Sequence, residues 1–280
     1  MSDDFYRGWR RPGPRPPGGV ETEAGETLDY LCGWYRIFQY EKGHRYSTDD
    51  VLTAWYATEC APRVGRAADL GSGIGSVAMI TAWRLTGAQF CTVEAQPMSI
   101  RLARKSVRYN GLSDRFTLFE GDLRDDTLFK DEPPFDLVTG SPPYFPAGTA
   151  TEADHPQAVP ARIEVRGTVA GYARTAARIL APGGVFVFVF PARDERVHDA
   201  LRENGLVLLR RRDVIFKEGE PPLIALFCAM RAGDVPPREP FVERPLTIRT
   251  AAGVVHPEYA VVRMSFGFPP GDVAVSNFPS

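Results

Sequence analysis

Hydrophobic and polar positions follow two different periods along the middle of the chain. Short apolar runs, typical of buried strands, alternate with longer segments that place apolar residues at helical spacing. The runs predict strands over residues 67–70, 90–93, 116–119, 135–139 and 185–190, and the segments between them predict helices over 76–85, 97–110, 164–180 and 192–204. Such alternation favours right-handed crossovers, a mostly parallel sheet and helices on both of its faces.

Two further strands, over residues 206–216 and 222–230, are separated by only a short charged turn. A link that short suits antiparallel neighbours, because parallel neighbours need a long crossover connection. The fold class that we expect is therefore α/β: a Rossmann-like, doubly wound, mostly parallel seven-stranded sheet with an antiparallel edge hairpin.

Composition divides the chain into four segments. We expect a disordered basic arm at residues 1–20, a lead-in at 21–62, the main domain at 63–232 and an extension packed on that domain at 233–280. The arm is rich in Arg, Pro and Gly, a composition that disfavours a packed core and suits contact with a phosphate backbone. In the lead-in, Ser47-Thr-Asp-Asp50 predicts the N-cap of a helix that runs to Cys60.

Composition and charge narrow the class of protein further. Apolar residues make up 44% of the 280 residues, and 33 basic against 35 acidic residues leave a net charge of −2. A near-neutral chain is not expected to coat nucleic acid, so such binding would depend on local patches such as the helix face of Arg101, Arg104, Lys105 and Arg108. The cysteines and histidines lack metal-type spacing, and no apolar run approaches the roughly 18 residues of a membrane span. We expect a cytoplasmic protein with no metal site and no membrane partner.

A glycine-rich loop, Asp69-Leu-Gly-Ser-Gly-Ile-Gly75, lies between the first strand and the first helix of the main domain. Glycines let a backbone turn tightly and approach a ligand without a Cβ clash. Glu94 ends the second strand, where an acid binds ribose hydroxyls in nucleotide folds, and Asp122 follows the third strand as a further polar contact. Together they predict a site for a ligand that contains a nucleoside.

The spacing of the glycines distinguishes between two such ligands. NAD would favour G-x-G-x-x-G, in which the third glycine packs the helix against the strand. Here Gly71, Gly73 and Gly75 recur at every second position after an acid. This form is similar to the donor loop of S-adenosylmethionine (SAM) dependent methyltransferases, and the resemblance implies SAM as the cofactor.

A second motif, Ser141-Pro-Pro-Tyr-Phe145, lies at the carboxyl end of the fourth strand, where doubly wound sheets bind ligands. Two prolines stiffen the backbone and remove two N–H donors, so their carbonyl groups are available to a substrate. An amino group on a π-system is a poor nucleophile, and accepting its hydrogens at Ser141 and Pro142 would improve it. Tyr144 could stack on the planar group and stabilise developing positive charge. This chemistry requires no metal.

The two motifs together resemble the class I methyltransferases that modify planar amino nitrogens, which pair Asp-x-Gly-x-Gly with (Asn/Asp/Ser)-Pro-Pro-(Tyr/Phe). The resemblance covers residues 40–265. More narrowly, Gly43-His-Arg-Tyr-Ser-Thr-Asp-Asp-Val-Leu52 is similar to the Gly-x-Arg-Phe-Ser-x-Asp segment of bacterial tRNA adenine-N6 methyltransferases. Those enzymes methylate the adenine beside the anticodon of valine tRNA, so the resemblance implies tRNA as the partner.

The resemblance also implies roles for individual residues. SAM would be held by Asp69, Gly71, Gly73, Glu94, Asp122 and Leu123, with Thr48 and Asp50 closing over it. Ser141, Pro142, Pro143 and Tyr144 would hold the target amino group. We also expect Tyr46 and Phe145 to contact the substrate, and the position of Arg162 shortly after Phe145 suits a phosphate contact near the mouth of the site. Ser141 departs from the family's usual Asn, because serine is shorter and offers one side-chain acceptor.

Four functions remain open from the sequence. The first is methylation of adenine N6 in tRNA near the anticodon. The second is a protein glutamine-N5 methyltransferase, although that class usually carries a separate N-terminal helical domain. The third is a DNA amino methyltransferase, which Ser141 favours and the lack of a target-recognition domain disfavours. The fourth is a catalytically inactive SAM-binding scaffold.

Overall fold

The structure, a computed structural model, describes residues 5–6, 9–144, 167–235 and 239–273. Four short strands and one helix precede the main domain: β1 (Phe5–Tyr6), β2 (Trp9–Arg10), β3 (Glu26–Tyr30), β4 (Arg36–Tyr40) and α1 (Thr48–Cys60). β1 pairs with β2 and β3 pairs with β4, both antiparallel. The predicted N-cap of α1 is confirmed, because the Ser47 side chain accepts from the Asp49 backbone N–H and the Asp50 carboxylate accepts from the Ser47 backbone N–H.

The main domain and its extension contain the remaining elements of the described chain. The strands are β5 (Arg66–Leu70), β6 (Gln89–Glu94), β7 (Phe116–Glu120), β8 (Phe135–Gly140), β9 (Leu180–Pro191), β10 (Leu206–Lys217), β11 (Ile224–Arg231), β12 (Phe241–Val242) and β13 (Leu246–Arg249). The helices are α2 (Ser76–Arg84), α3 (Pro97–Tyr109), α4 (Val169–Ile179), α5 (Arg196–Glu203) and α6 (Pro257–Ser265). Short 3₁₀ turns lie at Ser113–Arg115 and Ala232–Asp234.

The central sheet has the strand order β12-β10-β11-β9-β8-β5-β6-β7. The strands from β9 to β7 are parallel, whereas β11 runs antiparallel to both β9 and β10. The expected doubly wound α/β class with an antiparallel hairpin is confirmed. The sheet has nine strands rather than seven, because β12 and β13 both pair in parallel with β10. Strands of two and four residues are too short for their alternation to be recognised in the sequence.

Two hydrophobic cores lie on the two faces of the sheet. Along β9, Val185, Val187 and Val189 belong to the core shared with α1 and α2, while Phe186 and Phe188 belong to the core shared with α4 and α5. A strand covered on both faces has no solvent side, so its sequence is continuously apolar rather than alternating. The burial of β9 explains why the apolar run 185–190 predicted a strand correctly.

The N-terminal segment differs from the disordered arm expected at residues 1–20. Of its described part, Trp9 is buried, and the guanidinium of Arg11 lies 3.8 Å from the centre of the Tyr30 ring. The backbone N–H of Gly18 donates to the carbonyl of Tyr109 on α3. Composition predicts that this segment cannot bury enough surface to order itself, but cation–π contacts of Arg11 with Tyr30 and of Arg15 with Trp34 bind it to the lead-in.

Basic side chains on α3 form ion pairs with acidic residues of the same chain. Lys105 and Arg101 form ion pairs with Glu26, and Arg104 pairs with Glu120. The spacing of these residues suggested a patch for nucleic acid, but the ion pairs bind α3 to the lead-in and to β7. None of the helices in the described ranges is long and apolar enough to cross a bilayer.

Candidate active site

A cavity of about 620 Å³ opens where the strands β5, β6, β7 and β8 end. Its wall includes the loop after β5, the turn after β6, residues 121–123 after β7 and the loop 141–144 after β8, and the start of α1 closes it from the lead-in. The carboxyl ends of parallel strands meet at one edge of the sheet, so motifs far apart in sequence become neighbours there.

The glycine-rich loop turns from β5 into α2 through left-handed backbone. Gly71, Gly73 and Gly75 have φ values of +59°, +54° and +84°, a region that strongly favours glycine. At Gly71 there is a second constraint, because a Cβ built there would lie 2.0 Å from the hydroxyl oxygen of Tyr172. The Ser72 side chain in the same loop is buried, and its hydroxyl has no hydrogen-bond partner among the residues that the structure describes.

Glu94, at the end of β6, fixes the shape of this loop. One carboxylate oxygen accepts from the backbone N–H of Gly73 at 2.8 Å, and the other accepts from that of Gln96 at 2.7 Å. Asp122 also borders the cavity and is paired with Arg124, while the Leu123 carbonyl accepts from Thr175. All three residues that follow β6 and β7 and are predicted to contact the donor, Glu94, Asp122 and Leu123, therefore line the cavity.

Asp69 is buried beneath the loop with only part of its hydrogen-bonding capacity used. Its Oδ1 accepts from the Thr139 hydroxyl at 2.8 Å, and its Oδ2 has no partner in the described part of the chain. Burial, reinforced by the nearby carboxylates of Asp50 and Glu94, raises the pKa of Asp69 to about 7. A buried carboxylate with a free oxygen is suited to receive a cationic donor group from a ligand.

Tyr144, in the loop after β8, is held from three directions. Its hydroxyl donates to Asp49 Oδ2 at 2.6 Å, and its carbonyl accepts from Arg196 Nη2 at 3.2 Å. Its ring meets the edge of Phe190, with centroids 5.8 Å apart. Earlier in the same loop, the Ser141 hydroxyl is buried and makes no hydrogen bond to any of the described residues. The loop thus presents a fixed aromatic ring and an unsatisfied oxygen beside Pro142 and Pro143, which also line the cavity.

Several predicted site residues lie elsewhere. Tyr46 and Thr48 are not part of the cavity wall, and Tyr46 donates its hydroxyl to the carbonyl of Tyr30 instead. Asp50 does line the cavity, where its Oδ1 accepts from the Ser76 hydroxyl. Phe145 and Arg162, predicted to contact the substrate, lie outside the described residues.

Three residues of the site were missed by the sequence reasoning. Asp49 lines the cavity together with Ser47 and Asp50 of the capping segment. Arg196 holds the loop 141–144, here called the transfer loop, and Tyr172 on α4 supports the glycine-rich loop, here called the donor loop. Each sits in an unremarkable local pattern: a helix N-terminus, a helix start and the apolar face of a helix. Only the paired acids after Ser47 offered a signal, and they were assigned to capping.

Comparison with known proteins adds to this geometry. The family model described as "Methyltransferase small domain" matches residues 50–204, more than half of the chain. The chain is 28% identical over 222 residues to the tRNA1(Val) (adenine(37)-N6)-methyltransferase of Porphyromonas gingivalis, a match that covers 77% of this chain and 85% of that relative. It is 36% identical over 126 residues to a 4-amino-L-phenylalanine/4-methylamino-L-phenylalanine methyltransferase of Streptomyces pristinaespiralis, covering 42% and 41%.

A solved structure supports the same fold. The predicted O-methyltransferase from Agrobacterium tumefaciens superimposes with a TM-score of 0.59 at 21% identity, covering 79% of this chain and 97% of that one. At such identity the likeness concerns the fold alone. Because the family model spans both loops of the cavity, the chain belongs to the methyltransferase small domain family, and it is a methyltransferase.

Proposed function

We propose that this methyltransferase takes its methyl group from SAM and transfers it to a planar amino nitrogen, N6 of an adenine near the anticodon of a tRNA. The observation that carries the proposal is that one cavity joins the glycine-rich loop after β5 to the Ser141–Tyr144 loop after β8. A donor and an acceptor bound on these two loops would meet within a single enclosed space.

The polar atoms of the cavity fit SAM. Asp69 Oδ2 and the Ser72 hydroxyl are buried and find no partner within the described ranges, and SAM offers an ammonium group to the first and a carboxylate to the second. Asp49, Asp50, Asp69, Glu94 and Asp122 all line the cavity, so its field favours a cationic ligand. When bound, SAM supplies a methyl group on a positively charged sulfur. We assign Glu94 to its ribose and Asp122 with Leu123 to its adenine.

On the acceptor side, the unsatisfied Ser141 hydroxyl and the Pro142 carbonyl would accept the two hydrogens of an amino group. The fixed ring of Tyr144 would stack on the planar group that carries it. Similarity to the Porphyromonas enzyme over most of both chains supports tRNA adenine as the acceptor. The Streptomyces relative, whose name gives an aromatic amine as substrate, supports a small aromatic amine as the second candidate.

The test is transfer of labelled methyl from SAM to separate pools of tRNA, ribosomal RNA, DNA, protein and small aromatic amines. We expect N6-methyladenosine, identified by mass spectrometry, in the tRNA pool and at an adenine next to the anticodon. The Tyr144→Ala variant is the negative control and should lose transfer while it still binds SAM. Label in another pool, or in none, would refute the tRNA assignment.

Asp69 gives a separate prediction about pH. Its raised pKa of about 7 means that the carboxyl is largely protonated below that pH and cannot pair with the ammonium of SAM. SAM affinity should therefore rise with pH up to about 7, by about tenfold for each pH unit below it. Asp69→Asn should bind SAM weakly at every pH, as calorimetry would measure.

Asp69 should also make the stability of the ligand-free protein depend on pH, in the opposite direction to the SAM affinity. In the ligand-free protein the raised pKa of Asp69 means that the folded state binds a proton that the unfolded state releases, so stability falls as pH rises from about 4 to about 7. Asp69→Asn should therefore raise the melting temperature of the ligand-free protein above neutral pH. A variant that loses both stability and SAM affinity there would contradict the assignment.

A further inference from the structure

The hydrogen bond between Tyr144 and Asp49 connects two parts of the molecule that are 95 residues apart in the sequence. Asp49 lies in the first turn of α1, and Tyr144 lies in the loop after β8. The distance between Tyr144 Oη and Asp49 Oδ2 is 2.6 Å, within the range of O–H···O⁻ bonds to an ionised carboxylate. This is a contact between a charged group and the aromatic residue of the transfer loop.

The other two contacts of Tyr144 are of a different kind. Arg196 binds its backbone carbonyl, and Phe190 packs against its ring. These contacts fix the position of the loop and the tilt of the ring. The Asp49 carboxylate acts on the phenol itself, because an anion at the hydroxyl increases the electron density of the ring that faces the cavity.

We propose that Asp49 is a positioning residue for methyl transfer that acts through Tyr144. Its carboxylate holds the Tyr144 hydroxyl in place and keeps a negative charge next to it. The inference rests on the proposed function, since it assumes that the ring of Tyr144 stacks on the acceptor. During transfer the acceptor nitrogen forms its bond to the methyl carbon as the carbon–sulfur bond breaks, and positive charge moves from sulfur to nitrogen before a proton leaves to solvent. A more electron-rich ring stabilises that charge.

The groups around Asp49 determine when it is ionised. Burial raises its pKa, the hydrogen bond from Tyr144 lowers it, and the charge of Asp50 raises it, with a net shift upward. Tyr259 of α6 also faces it, and His44 and Arg45 line the same cavity. The pKa of the Tyr144 phenol lies well above its ordinary value because of burial and of Asp49, so Tyr144 stays a donor. Below the raised pKa of Asp49 the interaction loses its charge.

A double-mutant cycle tests the proposal. Asn at position 49 can still accept the Tyr144 hydroxyl but carries no charge, so Asp49→Asn should slow single-turnover transfer at saturating SAM by about tenfold to a hundredfold. Tyr144→Phe removes the hydroxyl, and adding Asp49→Asn to it should cause little further loss. The melting temperature of Asp49→Asn should stay close to that of the wild type, and saturating SAM removes any change in SAM affinity from the comparison of transfer rates. Multiplicative losses in the double variant would overturn the proposal.

Two pH measurements separate this role from a structural one. At saturating SAM, where protonation of Asp69 does not limit donor binding, the transfer rate should fall as Asp49 protonates on acidification. Asp49→Asn should lose that dependence, while His44→Gln keeps it. Independently of turnover, carbon NMR of the Asp49 carboxyl should show a higher pKa in Tyr144→Phe than in the wild type, because the hydrogen bond that lowers it is gone. An unchanged Asp49 pKa would refute the coupling, whereas turnover of no acceptor by the wild type would refute only the proposed function.

Discussion

Replacing Gly71 by alanine is expected to destabilise the fold by about 2–5 kcal/mol and to abolish SAM binding. The backbone at this position has φ +59°, and an added Cβ would lie 2.0 Å from the Tyr172 hydroxyl oxygen and 3.0 Å from the ring carbon that bears it. Tyr172 is itself buried in the core between α4 and the sheet. The ring cannot move away, so the strain must displace the donor loop. Urea denaturation and calorimetry with SAM would measure the two losses.

The chain offers a matched control two residues away. Gly73 has a similar φ of +54°, but apart from its own chain neighbours no described residue has an atom within 4 Å of the Cβ that alanine would add. Gly73→Ala should therefore be destabilised only by the cost of alanine in left-handed backbone, about 1–2 kcal/mol. The difference in stability between the two variants then measures the clash with Tyr172. Tyr172→Phe should restore part of the stability of Gly71→Ala by removing the hydroxyl. Equal losses in both alanine variants would show that Tyr172 is not the cause.

The parts of the fold that could be predicted from sequence are those with a local cause. The run 185–190 predicts a strand because both faces of β9 are covered, and the capping segment Ser47–Asp50 predicts the start of α1 because its hydrogen bonds lie within one turn. The glycine-rich loop is recognisable because its left-handed backbone restricts the residue type.

The remainder depends on contacts between distant residues. Nothing near Tyr172 in the sequence indicates that its hydroxyl lies against Gly71, because its helix has an ordinary apolar face. The sequence places Asp49 in a capping segment, and its bond to Tyr144 exists only after α1 folds over the end of β8. Composition predicts a disordered arm, yet Trp9 is buried and the guanidinium of Arg11 lies against the Tyr30 ring of the lead-in. In each case the role of the residue depends on a contact partner that is distant in the sequence.

A large loss of stability is expected when the ion pairs that Lys105 and Arg101 of α3 form with Glu26 are disrupted. The Glu26 side chain is fully buried and the Lys105 side chain is 6% exposed, with 2.5 Å between Lys105 Nζ and Glu26 Oε2. Lys105→Met should destabilise the protein by about 3 kcal/mol or more, because it removes a partner from a charge that stays buried. Glu26 would keep only Arg101 and the backbone N–H of Glu23. Glu26→Leu should have a comparable cost.

Combining the two substitutions distinguishes a structural ion pair from a nucleic-acid contact. Apolar side chains of similar volume can replace a buried ion pair at little cost, so Glu26→Leu with Lys105→Met should be more stable than either single variant. A side chain that is 6% exposed cannot reach a phosphate. If tRNA is the acceptor, as proposed, the double variant should bind it in filter-binding assays as tightly as the wild type and with the same salt dependence. A reduced salt slope would mean that Lys105 leaves Glu26 for the nucleic acid, and that the lead-in hairpin moves when tRNA binds.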